Sequence, residues 1–383
     1  MDIRPPATIK QNLSLGIILL VNLLFGIKYL SRYSLYGVIA AVGIIGLQYL
    51  IVKSSGLLYR FKQYLKFIDL FILAVFVGGA VIVFMKVPVE SLNVDRWSVI
   101  SSFWNNYFDG KYVYYAKSHM GNPPGPMPFY YILALPFYML GEQGIFSLAG
   151  VVVFYLLLKK TSLAPPYRTL GLLMAVSSLF YLWEVMCRSN IFINGVLVLL
   201  SLVFFLNSRK NNATLVISAV LTGLLLSTRN VFAIPYIIMF LYSWKAKEVT
   251  FKQLFVMGTI AIVVFALTFI PFAIGIWADF MVMNPFVVQS SFLMPFGYTL
   301  VFIAMAIVSP LLCRLREDVY FYSGLVLFLT ILFYVGYQIV TTSYKTALID
   351  SGADISYLIL CTPFLVYYYI AGRSNRQAMQ QSQ

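Results

Sequence analysis

The stretch SLGIILLVNLLFGIKYL, residues 14–30, contains one charged residue, Lys28. Its length is close to the ~20 apolar residues that a transmembrane helix needs. Similar runs recur along the 383-residue chain, which is 61% hydrophobic and only 10% charged. Soluble domains carry about 25% charged residues, so this chain cannot cover itself with a wettable surface. The composition therefore predicts an all-α, polytopic membrane protein built as one helical bundle.

The apolar runs predict about twelve membrane spans with both chain ends in the cytoplasm. No small-residue cleavage site follows the first run, so we interpret it as a span and not as a cleaved signal peptide. Glycine and proline interrupt some of the runs, which membrane helices tolerate when neighbouring helices satisfy the backbone. The predicted spans lie near residues 13–30, 35–52, 67–85, 143–158, 168–186, 190–206, 213–228, 230–243, 252–276, 294–313, 319–341 and 355–371.

The distribution of basic residues favours this topology. A further apolar run, FYYILALPFYML at 129–140, is too short to cross a membrane. If it lies in the outer interface as an amphipathic helix, the 27 Lys and Arg residues divide 18 to 9 in favour of the cytoplasmic side. That bias agrees with the positive-inside rule. The formal charge of +14 is then explained by short loops between spans, and we exclude nucleic acid as a partner.

This topology divides the chain into three parts. Residues 1–66 would form an N-terminal pair of spans, and residues 67–371 would form the main membrane module. The main module would carry a large extracytoplasmic loop at 86–142 that ends in an interfacial helix. Residues 372–383 are polar and predict a disordered cytoplasmic tail.

Four basic residues are predicted on the outer side, near the ends of apolar runs. Arg188, Arg229 and Lys345 follow or precede three different spans, and Arg96 lies in the large loop. A charge at the bilayer centre costs roughly 2.5–3.5 kcal/mol on insertion scales. Each of these basic residues therefore requires either a compensating partner or a functional role. One interpretation is that each side chain reaches towards lipid headgroups. The other is that they converge on an anion, most naturally a phosphate.

Asp95 is the acid at the start of the large loop, next to Arg96. Aspartate is a favoured N-cap residue, and a helix could begin at the following RWSVISSFW. Alternatively, a carboxylate at the membrane surface can take the proton of a hydroxyl group that attacks a nearby electrophile. Four other predicted outer-side acids have no ligand spacing: Glu184, Asp279, Asp350 and Asp354.

Other polar and aromatic residues of the loop are candidate ligands of a polar substrate. His119 lies in a turn-forming sequence, Trp97 and Tyr112 offer ring faces to a sugar, and Asp109 precedes a glycine in a turn signal. The aromatic residues also fit an interfacial belt. Because His119 is the only histidine, a multi-histidine metal centre is excluded. The loop contains no Asp-x-Asp pair, so we expect neither a metal nor another cofactor.

The outer loop resembles the first outer loop of the GT-C superfamily of membrane glycosyltransferases. Asp95 just after an early span, and then GKYVYYAKSHMGNPPGPMPFYYILALPF, carry the likeness. STRN, residues 227–230, at the outer end of a later span is also similar to bacterial members. Within the superfamily, the loop is most similar to mannosyltransferases that use polyprenyl-phosphate mannose.

The resemblance implies a sugar donor linked to polyprenyl phosphate and a hydroxyl acceptor on a glycan or glycolipid. It implies Asp95 as the catalytic base and an active site that faces away from the cytoplasm. No N-x-S/T sequon falls in the predicted outer loops, and we expect a bacterial inner membrane in preference to the endoplasmic reticulum. Arg188, Arg229, Lys345 and Arg96 would bind the donor phosphate. His119, Trp97, Tyr112 and Asp109 would contact acceptor or sugar, and a single displacement would invert the anomeric carbon.

Two features depart from the family pattern. The loop follows the third predicted span, so the N-terminal pair is an addition, and Asp95-Arg96 replaces an acidic pair that some members carry. A transporter or a lipid or glycolipid flippase is the alternative from another class. Transporters place polar sites near the membrane midplane and often contain inverted repeats. Here the polar residues lie at the outer ends of spans and no repeat is visible, which favours the enzyme.

Overall fold

The computed structural model describes residues 6–30, 36–92, 94–292, 294–349 and 353–381; within these ranges the side chains of 289–292, 296, 349 and 377–381 are not described. Every regular element in these ranges is helical. The predicted all-α class is confirmed.

The first half of the chain forms ten α-helices: α1 (Ala7–Phe25), α2 (Tyr36–Lys53), α3 (Leu57–Arg60), α4 (Leu65–Lys86), α5 (Arg96–Phe108), α6 (Pro128–Met139), α7 (Gly144–Lys160), α8 (Pro165–Val176), α9 (Leu179–Met186) and α10 (Ile191–Asn207). The second half forms nine more: α11 (Asn212–Leu226), α12 (Ala233–Lys245), α13 (Phe251–Leu267), α14 (Ile270–Ala273), α15 (Trp277–Val282), α16 (Pro285–Phe292), α17 (Phe296–Leu312), α18 (Asp318–Thr341) and α19 (Thr362–Gln381). A π-helical turn, Gly26–Leu30, extends α1, and a 3-10 helix, Ile355–Cys361, precedes α19.

Among the described residues, six helical stretches are long and apolar enough to cross a membrane: Ala7–Leu30, Tyr36–Arg60, Lys62–Lys86, Phe251–Ala273, Asp318–Thr341 and Ile355–Arg376. The number rises to eight if each of two bent helix pairs counts as one span. These pairs are α6 with α7, bent by 111°, and α8 with α9, bent by 58°. Long apolar helices of this kind suggest a membrane protein.

The predicted number of twelve spans is not confirmed. Helices occur at all the predicted positions, but α11 has 15 residues and α12 has 13. At 1.5 Å per residue a 15-residue helix is about 23 Å long, shorter than the ~30 Å hydrocarbon core. The run at 129–140 does form a short helix, α6, which turns sharply away from α7. That α6 lies in the outer interface stays a prediction.

The long helices differ in how deeply they are buried. In the apolar windows of α18 and of α19 with its preceding 3-10 helix, 72% and 89% of residues are buried, so these helices form the centre. In the stretches that contain α2, α4 and α13 the values are 17%, 11% and 22%. Such outward-facing apolar surfaces suit contact with lipid.

The N-terminal pair of helices packs directly on the rest of the chain. Helix α1 lies against α19, and α2 lies against α8. Lys10 of α1 forms a buried ion pair with Asp318 of α18, with 2.7 Å between nitrogen and oxygen. A Cβ atom at Gly26 would lie 2.4 Å from the Cβ of Ala41, so only glycine allows α1 and α2 to approach this closely. The predicted division at residue 66 therefore does not correspond to a gap in the packing.

The chain after Gly372 differs from the predicted disordered tail. Helix α19 continues through Gln381. Ser374 is buried and accepts a hydrogen bond from the backbone N–H of Ala164. Arg373 donates to the carbonyl of Val52 and Arg376 to the side chain of Gln11. These polar residues thus form hydrogen bonds with the first two helices. Composition alone does not reveal such contacts.

A single acidic side chain joins α4 to its neighbours. Asp69 is 5% exposed, although most of α4 faces outward. One carboxylate oxygen accepts a hydrogen bond from Tyr155 at 2.7 Å, and the other accepts one from Thr169 at 2.6 Å. Because buried charges need such partners, this arrangement holds one face of α4 against α7 and α8.

We expect Asn22→Ala to destabilise the protein by about 1–2 kcal/mol. The buried Asn22 side chain donates to Gln48 at 2.8 Å and accepts from the backbone N–H of Leu179 at 2.8 Å. Its removal leaves both groups without a partner in the interior. Thermal unfolding in detergent measures the effect, and Asn12→Ala, an exposed site on the same helix, is the control. Equal unfolding temperatures for the two variants would contradict the prediction.

Candidate functional site

A cavity of about 470 Å³ lies between the π-helical turn after α1, the start of α5, the turn before α6, the segment before α12, and α18 and the 3-10 helix before α19. Five charged side chains of the described residues line it: Lys28, Asp95, Arg96, Arg229 and Asp354. Apolar and aromatic residues form much of the remaining wall, including Val99, Met120, Trp183, Val231, Ile331 and Leu360. The cavity therefore combines an apolar wall with a small number of charges.

Arg229 is a buried cation. No acidic side chain of the described residues lies within salt-bridge distance of it, although the buried carboxyl of Glu184 is near enough to interact with it electrostatically. Arg229 is 7% exposed, and its guanidinium carbon lies 5.3 Å from the ring centre of Tyr130 and 5.2 Å from that of Tyr357. Nε and Nη2 are buried and have no hydrogen-bond partner in the described part of the chain. The two ring faces offset some of the cost of burial by cation–π attraction. Neither ring cancels the charge, so the guanidinium is suited to an anion.

Arg96 is already paired. Its guanidinium forms an ion pair with Asp354 and donates to Ser356 Oγ at 2.8 Å. It also lies 5.3 Å from the ring centre of Tyr357, on which Arg229 also packs. Burial by itself lowers the pKa of Arg96, but the electrostatic influence of Tyr357 and Asp95 raises it above its usual value. Arg96 therefore stays charged, with Asp354 as counter-ion.

Asp95 precedes α5 at the N-cap position, but its side chain makes no capping hydrogen bond. Instead Oδ2 accepts from Asn122 Nδ2 at 2.7 Å and from Ser118 Oγ at 3.1 Å. Both donors belong to a turn that Gly121 closes with φ +81°, a conformation that favours glycine. Oδ1 accepts no hydrogen bond from the described residues. The large loop thus orients the carboxylate in the cavity wall and leaves one oxygen for another donor.

Arg188 does not line the cavity, contrary to the predicted convergence. It is 2% exposed, and its guanidinium donates to the carbonyls of Met186, Phe84 and Val87 at 2.8, 3.2 and 3.0 Å. Nε lies 3.5 Å from the carboxylate of Glu142. A backbone φ of 51° turns the side chain towards the end of α4, where helix carbonyls lack intrahelical partners. The side chain of Arg188 therefore holds the C-terminal end of α4 in place.

Lys345 and Asp109 also lie outside the cavity. Lys345 is exposed at the start of a π-helical turn, Lys345–Ile349. Asp109 is exposed and forms an ion pair with Lys111 at 2.9 Å, as expected for a turn next to glycine. The structure does not bring these two residues to Asp95 and Arg229.

The remaining loop candidates contact one another or the loop core and do not line the cavity. His119 Nδ1 lies 2.7 Å from Ser98 Oγ, and its ring stacks on Trp97 with 5.4 Å between ring centres. Trp97 faces a second, polar pocket that Arg188 and Glu142 also line. Tyr112 is buried, and its hydroxyl donates to the carbonyl of Met283 at 2.6 Å. These contacts support the fold of the loop.

The cavity residues that the sequence interpretation did not select as site residues include Lys28, Asp354, Tyr130 and Tyr357. Lys28 lies at the predicted outer end of the first span, and the reasoning that selected Arg229 applies to it equally. The sequence analysis grouped Asp354 with Glu184, Asp279 and Asp350 as outer-side acids without ligand spacing. Asp350 lies outside the described residues. No sequence signal distinguishes Tyr130 and Tyr357 from the many other tyrosines.

Among the described residues, no group of three or more His, Cys, Asp or Glu side chains is placed to hold a metal ion. Comparisons of the chain with protein-family models, with curated proteins and with solved structures each gave no match.

Proposed function

We propose that the chain is a membrane glycosyltransferase of the GT-C type that transfers a hexose, such as mannose, from a polyprenyl-phosphate donor to a hydroxyl group of a glycan or glycolipid. The observation that carries the proposal is the pairing, in one cavity, of an oriented carboxylate and a buried guanidinium that no acid of the described residues approaches to salt-bridge distance. The amphipathic wall suits a lipid chain with an anionic head. The loop resemblance supports a sugar as the group transferred.

In the proposed reaction the acceptor oxygen attacks the anomeric carbon of the donor sugar. The bond between that carbon and the phosphate oxygen breaks, and polyprenyl phosphate leaves with the electron pair. Asp95 takes the acceptor proton as the general base. A single displacement inverts the anomeric carbon.

Arg229 would stabilise the charge that develops on the leaving phosphate. A fixed cation in a site of low dielectric is effective at this task because it needs no reorganisation during the reaction. Arg96 would contribute less, since Asp354 already compensates its charge. A soluble transferase commonly uses a metal ion for the same purpose, and here the guanidinium would take that part.

The proposed active site faces away from the cytoplasm, in a bacterial inner membrane. The positive-inside bias of the predicted topology supports this orientation.

The test uses the purified chain in liposomes with radiolabelled polyprenyl-phosphate mannose outside and octyl mannoside as a simple hydroxyl acceptor. We expect labelled disaccharide and an equal amount of polyprenyl phosphate. If the lipid crosses the bilayer with its sugar bond intact and no disaccharide forms, the chain is a flippase and the proposal is wrong. Liposomes without protein provide the background rate.

A further inference from the structure

The second pocket, which Trp97 faces, lies beside the cavity on another face of α5. It has a volume of about 410 Å³, within the roughly 300–1,000 Å³ of small-molecule sites. Its wall includes the end of α4 and the segment that follows, the first turns of α5, and the turn between α6 and α7. Pro88, Glu90 and Gly141 are exposed residues of this wall, so the pocket opens to the surface.

The cavity and the pocket share the first turns of α5 as a wall. Arg96 and Val99 line the cavity, whereas Trp97 and Ser101 line the pocket. At 3.6 residues per turn, each of these pairs lies on one face of the helix, and the two faces point in nearly opposite directions. Asp95, directly before the helix, lines the cavity. The N-terminal end of α5 thus separates the oriented carboxylate from the pocket.

Neighbouring groups hold the polar side chains of the pocket in place. Gln143 is 9% exposed, and its Nε2 donates to Ser101 Oγ at 2.9 Å. The indole ring of Trp97 stacks on the imidazole of His119. Glu142 Oε1 accepts a hydrogen bond from the first backbone N–H of α7 at 2.7 Å. A site that is fixed in this way loses little conformational entropy when a ligand binds.

The same side chains carry hydrogen-bonding atoms without a partner among the described residues. They include the donor Nε1 of Trp97 and the acceptor Oε1 of Gln143, which are both buried. Glu142 Oε2 is a further acceptor to which no described residue donates a hydrogen bond. A buried donor or acceptor without a partner is costly, so a ligand that pairs with it recovers this cost. The pocket therefore offers both donor and acceptor positions.

A ligand for this pocket needs groups that can both donate and accept hydrogen bonds. An ionised phosphate or carboxylate cannot donate to Gln143 and Glu142, and an ammonium group cannot accept from the indole N–H of Trp97. A hydroxyl group does both. An uncharged sugar presents several hydroxyl groups on one small ring. The mixture of donors and acceptors therefore favours a neutral sugar unit over an ion.

We propose that this pocket binds an uncharged sugar unit of the acceptor glycan, next to the unit whose hydroxyl group reacts at Asp95. The assignment to the acceptor rests on the proposed function, because the donor sugar is bonded to the phosphate and must lie beside Arg229 in the cavity. A sugar unit on the other face of α5 then belongs to the second substrate. Trp97, Glu142 and Gln143 recognise it through their unpartnered atoms.

The experiment measures binding of mannobiose, an uncharged disaccharide, to the full chain by saturation-transfer difference NMR. The chain is kept in a detergent without a sugar head group, which would otherwise compete. We expect Trp97→Phe to weaken binding roughly 5-fold, as for loss of one neutral hydrogen bond. Phenylalanine keeps an aromatic ring beside His119 but has no N–H. If mannobiose gives no signal with the wild-type chain, the inference is wrong.

Trp104→Phe is the matched control on the same helix. Trp104 is buried, does not line the pocket, and donates to the carbonyl of Tyr131 at 3.1 Å. We expect this variant to unfold at a lower temperature and to bind mannobiose as the wild type does. Trp97→Phe should show the reverse, because the indole N–H of Trp97 has no partner to lose. Equal losses of affinity in the two variants would indicate a general effect on α5 and would contradict the inference.

Two further measurements separate this inference from the proposed function. In titration calorimetry, farnesyl phosphate, a short analogue of the donor lipid, should bind Trp97→Phe as it binds the wild type. In the transfer assay with mannobiose as acceptor, Trp97→Phe should raise the KM for mannobiose about 5-fold with little change in kcat. Normal transfer with unchanged KM and affinity would refute the pocket and leave the function in place. If no transfer occurs while mannobiose binding still depends on Trp97, the pocket is a sugar site and the proposed function is wrong.

A measurement on the wild-type chain covers the case in which Trp97→Phe does not fold. Carbodiimide coupling of an amine to accessible carboxylates, read by mass spectrometry, should show that saturating mannobiose protects Glu142 several-fold. Farnesyl phosphate should not protect it. Asp109, which is exposed and lines neither the cavity nor the pocket, should label equally under all conditions. Unchanged labelling of Glu142 at saturating mannobiose would overturn the inference.

Discussion

Asp95→Asn should reduce the rate of sugar transfer by about 10²–10⁴-fold, the range typical for loss of a general base. The amide cannot take the acceptor proton at neutral pH. Its oxygen can still accept the hydrogen bonds of Ser118 and Asn122, so the loop should keep its fold. Single-turnover transfer from polyprenyl-phosphate mannose, with the variant in excess of donor, measures the chemical step.

Two controls distinguish the loss of the Asp95 carboxylate from a general effect on the protein. Farnesyl phosphate should bind Asp95→Asn at least as tightly as the wild type, because a negative charge leaves the cavity. Asp279→Asn removes an acid, predicted on the outer side, that accepts a hydrogen bond from Tyr115 and does not line the cavity, and this variant should transfer sugar normally. Wild-type turnover by a folded Asp95→Asn variant would remove Asp95 from the reaction.

Arg229→Met should weaken binding of farnesyl phosphate by about 100-fold or more, equivalent to the loss of two charge-assisted hydrogen bonds. Methionine has a similar length and can fill the space between Tyr130 and Tyr357, so the packing should change little. The guanidinium has buried nitrogens without a partner, and their removal relieves a desolvation cost. We therefore expect the unfolding temperature to stay equal or rise while affinity falls.

This combination separates a binding role from a structural one. Arg209→Met, an exposed arginine outside the cavity, should leave both the affinity and the unfolding temperature unchanged. Arg229→Lys keeps the charge but loses the planar stack on the two rings, so it should fall between the wild type and Arg229→Met. A large loss of stability in Arg229→Met with unchanged affinity would show that the residue holds the fold and not the ligand.

The sequence predicted the helical class because long apolar runs leave no other way to satisfy the backbone in lipid. The predicted number of about twelve spans is not confirmed, because hydropathy does not measure helix length. Helices α11 and α12 are apolar, yet they are only 15 and 13 residues long. Helices α8 and α9 fall within one apolar run but are bent by 58°, a break that the run does not reveal.

The candidate site was predicted in part, and the failures have physical causes. Asp95, Arg96 and Arg229 line one cavity, as expected for charges at the outer ends of spans. Arg188 met the same criterion, but its left-handed backbone aims it at the carbonyls of α4. Position along a run locates a charge approximately, whereas backbone torsion and helix packing decide where it points. Lys28 was passed over although its position is comparable.

The buried carboxylate of Asp69 has a consequence for the large loop. Most of helix α4 is apolar and faces outward, so few of its side chains fix its rotation about the long axis. Two hydrogen bonds to Asp69 fix the rotation of α4 about its own axis. This rotation helps to set the direction in which the chain leaves the helix. The loop that carries Asp95 begins at the end of α4, nine residues before this aspartate. A buried carboxylate near the start of α4 thereby contributes to where this loop begins.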